Sequence, residues 1–175
     1  MVCIAIIFLS PLMIITSLVI FIEDGWPIIF VHSRIGRSGK MFSMYKFRSM
    51  KKQTPLVESK IADQEMITRT GRIIRRWNID ELPQLFNVLL QQMSLVGPRP
   101  TLPQQKNLNE LRTVNGSSEL RPGLTGLAQV KSYDGMSEEI KARYDKMYLQ
   151  EISFSTDIKI ILKTFKYLLK RPPKY

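Results

Sequence analysis

The sequence predicts a single α+β domain that is mainly helical and associates with a membrane. Three observations predict this class. An uncharged apolar stretch opens the chain, short apolar runs around a glycine turn follow it, and apolar residues at helical spacing recur through the remainder. The 175 residues provide one domain with a modest core of its own.

Composition restricts the chemistry and suggests the partners. Lys and Arg number 26 against 15 Asp and Glu, and the net charge of +11 predicts anionic partners: nucleic acid, anionic lipid or phosphorylated small molecules. Cys3 and His32 are the only residues of their types, which excludes an internal disulfide, a cysteine-based zinc module and metal sites with several imidazoles. Ser-His-Asp or Cys-His catalysis would have to use His32. Chemistry here therefore depends on carboxylates, hydroxyls, lysine and arginine.

The first element is a membrane helix over residues 1–22, which contain no charge and reach about 33 Å as a helix. A signal peptide would need a basic start and a small-x-small cleavage site, and neither precedes Gly25. Pro11 predicts a break in mid-helix, and the Ser10 hydroxyl is placed to satisfy a freed carbonyl. Two paths stay open: a bent anchor, or a helix-break-helix that enters and leaves on one face. The predicted division is 1–22 for the anchor and 23–175 for the second domain.

A basic strand–turn–strand region follows the anchor. Pro27 to Val31 and Met41 to Arg48 are predicted strands, joined by the turn Arg34 to Lys40. The turn lacks the glycine and hydroxyl spacing of a Walker A loop, so an anion cradle and a solvated hairpin tip both remain open. Thr68 to Trp77 then predicts a helix rich in arginine, whose planar side chains suit phosphate groups or an anionic membrane surface.

Two adjacent carboxylates begin the next predicted helix. A core-facing periodicity indicates this helix and is formed by Leu82, Leu85, Phe86, Leu89, Leu90 and Met93. Asp80 and Glu81 lie in its first turn. One interpretation is structural, with Asn78 as N-cap and Glu81 completing a capping box. The other is functional: one carboxylate attacks phosphorus while its neighbour holds a divalent cation.

Two proline-rich turns each carry an arginine. Arg99 lies between prolines in the segment Met93 to Pro100, and Arg121 opens the segment Arg121 to Val130. Rigid turns of this kind can hold an arginine as a phosphate receptor. The alternative is a stiff loop whose arginine faces solvent.

Two helices are predicted in the C-terminal third. The apolar face of the first consists of Ile140, Tyr144, Met147 and Tyr148. In the second, four lysines (Lys159, Lys163, Lys166 and Lys170) oppose the apolar residues Ile158, Ile161, Leu162, Phe165, Leu168 and Leu169. Such a C-terminal amphipathic helix either packs on the core with a lysine face or lies in the headgroup region of an anionic leaflet.

Six blocks in order along nearly the whole chain resemble the bacterial sugar transferases, the monotopic polyprenyl-phosphate phosphoglycosyl transferases of the small single-domain type. The blocks are Ser10-Pro11, Tyr45 to Met50, Thr68 to Gly71, Asp80 to Val88, Met93 to Pro100, and Arg121 to Val130. Each block is weak alone, and together they are highly specific.

The resemblance implies a Mg²⁺-dependent enzyme that transfers a sugar 1-phosphate from a UDP-sugar to undecaprenyl (polyprenyl) phosphate and releases UMP. The reaction proceeds through a covalent aspartyl-phosphosugar intermediate. It is the initiating step of exopolysaccharide, O-antigen, capsule or glycoprotein glycan synthesis. The expected location is the bacterial inner membrane, with the catalytic domain on the cytoplasmic face. The expected partners are the two substrates and the bilayer, with no nucleic acid.

The resemblance also implies roles for individual residues. Asp80 is the expected nucleophile, and Glu81 is the expected Mg²⁺ ligand, with Asp80 sharing the ion. Phosphate binding falls to Lys46, Arg75, Arg99 and Arg121. Ser10-Pro11 matches the break motif of the family, which favours the re-entrant path for the anchor.

Two departures and one rival accompany this interpretation. Many members continue with Asn-Gly-Arg after Val130, whereas this chain has Lys131 to Gly135, so an expected arginine contact is missing. Members usually carry a basic, aromatic segment ahead of the apolar helix, and Met1 already lies within that helix. The rival is a membrane-tethered basic module that binds anionic lipid or nucleic acid. The donor sugar stays open among N-acetylated and 2,4-diacetamido hexoses, glucose and galactose.

Overall fold

The computed structural model describes residues 2–52, 54, 66–131 and 136–170. Within them the chain is mainly helical and has two small sheets, as predicted for the fold class. The elements are α1 (Val2–Asp24), β1 (Ile29–Ile35), β2 (Met41–Phe47), α2 (Arg69–Arg76), α3 (Gln84–Leu89), β3 (Ser94–Val96), α4 (Lys106–Val114), β4 (Gly123–Thr125), α5 (Leu127–Lys131), α6 (Glu138–Gln150) and α7 (Phe154–Lys170).

The chain forms two compact units. The first unit takes in the described residues of 1–31 and 45–86, and the second unit takes in those of 32–44 and 87–171. Helices α1 and α2 belong to the first unit. Strands β3 and β4 and helices α4 to α7 belong to the second.

Helix α1 continues through Pro11 as one element, whereas the sequence predicted a break at Ser10-Pro11. The hydroxyl of Ser10 donates to the carbonyl of Ile7 at 2.7 Å. This carbonyl is the one that Pro11 leaves without a partner, because proline has no N–H to offer four residues on. The hydroxyl therefore replaces the lost hydrogen bond as predicted, and the helix is long and apolar enough to cross a membrane by length and composition.

One face of α1 belongs to the core of the first unit. Ile20 is buried with Phe47 of β2 and Ile74 of α2. Half-buried apolar side chains pack around these three: Met13, Ile28, Ile79 and Leu82. The opposite face carries exposed apolar side chains, among them Phe8 and Ile22. The C-terminal half of α1 is thus an integral part of this unit.

The predicted strand–turn–strand region is confirmed. Strands β1 and β2 form a two-stranded sheet, and the turn at Arg37–Gly39 is closed by the amide of Gly36 donating to the carbonyl of Lys40 at 2.8 Å. The turn residues are exposed, as in a solvated hairpin tip.

The second unit is built around a parallel pair of short strands. Ser94 of β3 lies opposite Gly123 of β4, and Val96 lies opposite Thr125. The buried core of this unit joins Val96 to side chains of α6 and α7, and comprises Val96, Tyr148 and Ile160 with Leu95, Leu120, Leu127, Val130 and Ile161 around them.

The periodicity after the carboxylates predicts a longer helix than the structure contains. Helix α3 spans only Gln84–Leu89, while Phe86, Leu89 and Leu90 are exposed rather than core-facing. Gln91 explains the early end, because its positive φ of 59° is incompatible with a continuing helix. Within α3, the fully buried side chain of Asn87 donates to the carbonyl of Ser43 at 2.8 Å, and the backbone carbonyl of Asn87 accepts from the amide of Gln92.

The faces of the C-terminal helices also differ from prediction. In α6 the buried residues are Ala142, Asp145 and Tyr148, whereas Ile140 and Met147 are exposed. An ion pair and a phenol hydrogen bond place the polar members of this face inside, as described below. In α7 the core residues are Ile160 and Ile161. A second apolar stripe of the same helix, comprising Phe154, Ile158, Leu162 and Phe165, is exposed.

Candidate active site

Two of the sequence blocks meet at a close backbone contact in the first unit. A Cβ at Gly71 of α2 would lie 2.0 Å from the carbonyl oxygen of Ser49, so only glycine fits there. Thr68 caps α2 by accepting from the Gly71 amide at 2.8 Å, and its own amide donates to the Ser49 carbonyl. The strand-end segment after β2 and the start of α2 are therefore held together.

The carboxylate pair lies in a tight turn at Ile79–Glu81, directly after α2. Asn78 enters this turn with a left-handed φ of 52°, and its side chain makes no capping hydrogen bond. The capping-box interpretation is therefore wrong, because a left-handed residue does not have the extended backbone of an N-cap. Ile79 and Leu82 pack into the core on either side of the pair, and Asp80 is 9% exposed. The core thus fixes the backbone that carries both carboxylates.

Lys46 forms an ion pair with Glu81, the residue that follows Asp80 in the chain. The Lys46 ammonium lies 2.7 Å from Oε1 of Glu81, and their side chains are 20% and 14% exposed. Arg75, near the end of α2, donates from Nε to the hydroxyl of Ser49 at 2.8 Å. The first unit therefore contains four of the predicted site residues, with Lys46 and Glu81 in direct contact. An ammonium has three donors, so the lysine retains the capacity to bind a phosphate oxygen as well.

The donor set of this turn suits magnesium. No group of three His, Cys, Asp or Glu side chains able to hold a metal occurs in the part of the chain that the structure describes. Mg²⁺ in phosphoryl-transfer sites is bound by one or two carboxylates together with substrate phosphates and water, rather than by a full protein cage. Asp80 and Glu81 supply two such carboxylates on adjacent positions, so they fit the ion without further ligands from the protein.

The two arginine-bearing turns lie in the second unit. Arg99 is exposed between the buried residues Pro98 and Pro100. Arg121 is exposed as well, and its Nη2 lies 3.3 Å from Oε1 of Gln91. A Cβ at Gly97 would lie 2.4 Å from the carbonyl oxygen of Arg121, so the backbones of the two turns are in contact. The altered segment after Lys131 lies outside the described residues at 132–135.

Sequence reasoning missed the links between α1 and the rest of the first unit. The carboxylate of Glu23 accepts from the amides of Arg69 and Thr70 at 2.7 and 2.9 Å, at the start of α2. The buried Arg48 donates from Nη2 to the carbonyls of Asp24 and Gly25, both at 2.8 Å, and pairs with the Asp24 carboxylate at 3.0 Å. The positions of the first charges after the apolar stretch, Glu23 and Asp24, were visible, but their partners are 24 to 47 residues away.

A buried ion pair in the second unit was missed for the same reason. Arg112 of α4 binds Asp145 of α6 through Nε and Nη2 at 2.8 and 2.7 Å. Burial raises the pKa of the Asp145 carboxyl, an effect that the guanidinium partly offsets. Tyr148, one turn on, donates to the carboxylate of Asp157 at 2.8 Å, and burial and this bond raise its pKa above the usual value. Asp145 lies three residues from both Ala142 and Tyr148, so all three share one face of α6. This spacing was the signal in the sequence that pointed to a buried carboxylate.

The family model for bacterial sugar transferases matches residues 1–171, which is nearly the full length. The chain belongs to the bacterial sugar transferase family. The uncharacterized sugar transferase EpsL of Bacillus subtilis is 38% identical to this family member, over 91% of the present chain and 79% of EpsL.

Two further relatives carry names that state a reaction. The UDP-glucose:undecaprenyl-phosphate glucose-1-phosphate transferase of Caulobacter vibrioides is 37% identical over 95% of this sugar transferase. The undecaprenyl-phosphate galactose phosphotransferase of Salmonella typhimurium is 36% identical over 87% of it. The chain spans 66% of the length of the Caulobacter protein and 36% of the Salmonella protein.

Proposed function

We propose that this protein transfers a sugar 1-phosphate from a UDP-sugar to undecaprenyl, or another polyprenyl, phosphate and releases UMP. The observation that carries the proposal is the turn at Ile79–Glu81, which holds a buried aspartate next to a carboxylate paired with lysine. The names of two relatives support the two substrates, since each names undecaprenyl phosphate and one names UDP-glucose. One of these names specifies glucose and the other galactose. The experiment below identifies the donor sugar of this chain.

The chemistry consists of two displacements at one phosphorus atom. A carboxylate oxygen of Asp80 attacks the phosphorus that bears the sugar, and the bond from that phosphorus to the bridging oxygen breaks, so UMP leaves with the electron pair. The product is an acyl phosphate on Asp80. A phosphate oxygen of the polyprenyl substrate then attacks the same phosphorus and releases the carboxylate. No proton moves in either step, so the reaction does not require a histidine.

Charge stabilisation is the main task of the surrounding residues, because phosphoryl transfer needs positioned cations more than acid–base groups. Lys46 and Arg75 are the proposed phosphate-binding residues of the first unit, and Arg99 and Arg121 those of the second. Mg²⁺, held by Glu81 with Asp80, supplies neutralisation of the phosphate oxygens when bound. We expect chelation with EDTA to abolish UMP release and added Mg²⁺ to restore it.

The apolar surfaces support a membrane location. One face of α1 packs on the first unit at Met13, Thr16 and Ile20, and its other side carries exposed apolar side chains that suit contact with lipid. The re-entrant path of this anchor is proposed on the match of Ser10-Pro11 to the break motif of the family. The exposed apolar stripe of α7 suits contact with the interfacial region of the membrane. Lysines and arginines near the polar end of α1 favour the cytoplasmic face of the bacterial inner membrane.

The test is UMP release from protein in nanodiscs with Mg²⁺, undecaprenyl phosphate and a panel of UDP-sugars. We expect one donor to turn over and Asp80→Asn to reduce the rate at least 1,000-fold, about the loss expected for a nucleophile. Glu110→Gln, an exposed acidic position on α4, is the matched control and should keep wild-type activity.

The covalent step has its own readout. With labelled UDP-sugar and no lipid phosphate, the wild type should retain label that hydroxylamine removes, and Asp80→Asn should retain none. Binding to anionic vesicles without UMP release from any donor, unchanged in Asp80→Asn, would instead support the basic binding module.

A further inference from the structure

Three of the hydrogen bonds that hold the turn carrying Arg99 come from described residues of the second unit. The amide of Gly97 donates to the carbonyl of Thr125, and the amide of Gly123 donates to the carbonyl of Pro98, both at 2.8 Å. Both bonds join backbone to backbone across the β3–β4 pair, so no side-chain substitution removes them. The third bond reaches the carbonyl of Arg99 itself and comes from a side chain: Nη1 of Arg112 donates to it at 2.9 Å.

Arg112 is oriented by a buried carboxylate. Its Nε and Nη2 both bind Oδ2 of Asp145, and the two side chains are 9% and 3% exposed. A guanidinium is planar, so two bonds to one carboxylate fix the direction in which the third nitrogen points. That nitrogen is the one that binds the Arg99 carbonyl. Arg112 thus links helices α4 and α6 to the turn that carries Arg99.

Stability alone does not account for this ion pair. Removing two charges from water costs several kcal/mol, and well-packed apolar residues of similar volume often hold two helices together as well or better. An apolar pair offers no donor to the Arg99 carbonyl. The property that the arginine adds at this position is therefore orientation of the turn, and an oxygen acceptor at position 145 is sufficient to hold that arginine.

We infer that Arg112 is a positioning residue for the transferase reaction, and that it sets the direction in which Arg99 presents its guanidinium to the donor phosphates. This inference rests on the proposed function. The rings of the buried Pro98 and Pro100 fix the φ angles at both positions, so the ψ angle of the exposed Arg99 is the backbone freedom between them. A bond to its carbonyl removes that freedom.

Three variants separate positioning from stability. Arg112→Lys keeps the charge opposite Asp145 but lacks the planar fork, so it cannot bind both Asp145 and the Arg99 carbonyl with the same geometry. Arg112→Met/Asp145→Leu removes the buried charges and the turn contact together. Asp145→Asn leaves Arg112 and an oxygen acceptor in place but loses the charge pair. We expect the first two to lower kcat/KM for the UDP-sugar about 10- to 100-fold with little change in Tm. Asp145→Asn should lower Tm and leave kcat/KM within about threefold of wild type, because it keeps the bond to the turn.

A double-mutant cycle identifies the route of the effect. If Arg112 acts through Arg99, Arg112→Lys has no further effect on kcat/KM in an Arg99→Ala background. Hydrogen exchange of the peptide covering residues 97–101 supplies a readout that needs no turnover. Exchange there should be at least tenfold faster in Arg112→Lys than in wild type and unchanged in Asp145→Asn.

The outcomes are distinct. Multiplicative losses in the cycle, or exchange at 97–101 that Arg112→Lys leaves unchanged, would overturn the positioning role. A wild type that turns over no donor would contradict the proposed function, and the exchange experiment would still decide whether Arg112 holds the turn.

Discussion

For the substitution Gly71→Ala, helix propensity predicts a gain in stability, whereas packing predicts a loss. Alanine favours an exposed helix over glycine by about 1 kcal/mol. A Cβ at Gly71, however, lies 2.0 Å from the Ser49 carbonyl oxygen, which is 1.4 Å less than the 3.4 Å at which ordinary contact begins. The two nearest atoms, the carbonyl oxygen and carbon of Ser49, belong to the backbone and cannot rotate away, so α2 itself must move. The clash costs about 3 kcal/mol, the upper part of the range for overpacked interiors.

The expected net change is a loss of about 2 kcal/mol, which lowers Tm by about 4–8 °C for a domain of this size. A shift of 1.4 Å also takes Arg75 out of hydrogen-bond range of the Ser49 hydroxyl, now 2.8 Å away. At temperatures where the variant is still folded, we therefore expect its rate of UMP release to be at least about tenfold lower than that of the wild type. The rate is measured in nanodiscs, and a thermal melt of the same sample gives the unfolding temperature.

Gly116→Ala is the matched control for that experiment. Gly116 has a φ of 82° and its nearest contact is a leucine methyl 3.6 Å away, so alanine there costs about 1–2 kcal/mol through backbone strain alone. Gly116 lies in the second unit, whereas α2 belongs to the first, and the Gly116 variant should lose stability and keep activity. A Gly71→Ala protein with unchanged or higher Tm and full activity would refute the packing argument.

Three further predictions concern single side chains. Lys46→Met removes the ammonium that pairs with Glu81 and should lower UMP release about 100-fold, whereas Lys46→Arg should retain part of the activity; equal loss in both would contradict a charge role. Because burial and the bond to Asp157 raise the pKa of Tyr148, the folded state holds a proton that the unfolded chain loses near pH 10, so stability should fall as pH rises above about 10. At such pH, folded wild type and Tyr148→Phe should show equal tyrosinate absorbance near 295 nm and differ by one tyrosine only after unfolding; a difference while folded would contradict this. Phe165→Trp, in a background with both native tryptophans replaced by phenylalanine, should be quenched by brominated lipids, while Val114→Trp on α4 should not; similar quenching at both would remove the special role of the α7 stripe.

Local patterns in the sequence were sufficient where the interaction is local. Ser10 and Pro11 are adjacent, and the carbonyl at issue is that of Ile7, so the replacement hydrogen bond could be predicted from helix geometry. The adjacent carboxylates Asp80 and Glu81 drew attention for the same reason.

Patterns failed where a distant partner decides the outcome. Glu81 has the spacing of a capping box, but Lys46, 35 residues earlier, binds it instead. Asp145 interrupts an apolar face, and nothing within a helical turn indicates that Arg112 neutralises it. The periodicity extends α3 to Met93, but the chain leaves the helix before the positive φ of Gln91, and the polar Asn87 takes a buried position by binding the carbonyl of Ser43, 44 residues earlier.

The hydrogen bonds that Glu23 and Arg48 make have a practical consequence for protein production. Deleting α1 to obtain a water-soluble fragment would remove the acceptor of the first amides of α2, and with Asp24 it would remove one of the two carbonyls and the carboxylate that hold the buried guanidinium of Arg48. It would also expose the core around Phe47 and Ile74 that Ile20 covers. A fragment cut after Asp24 is therefore an incomplete folding unit. The turn that carries Asp80 packs on the same core through Ile79 and Leu82, so the order of the carboxylate pair depends on α1 as well.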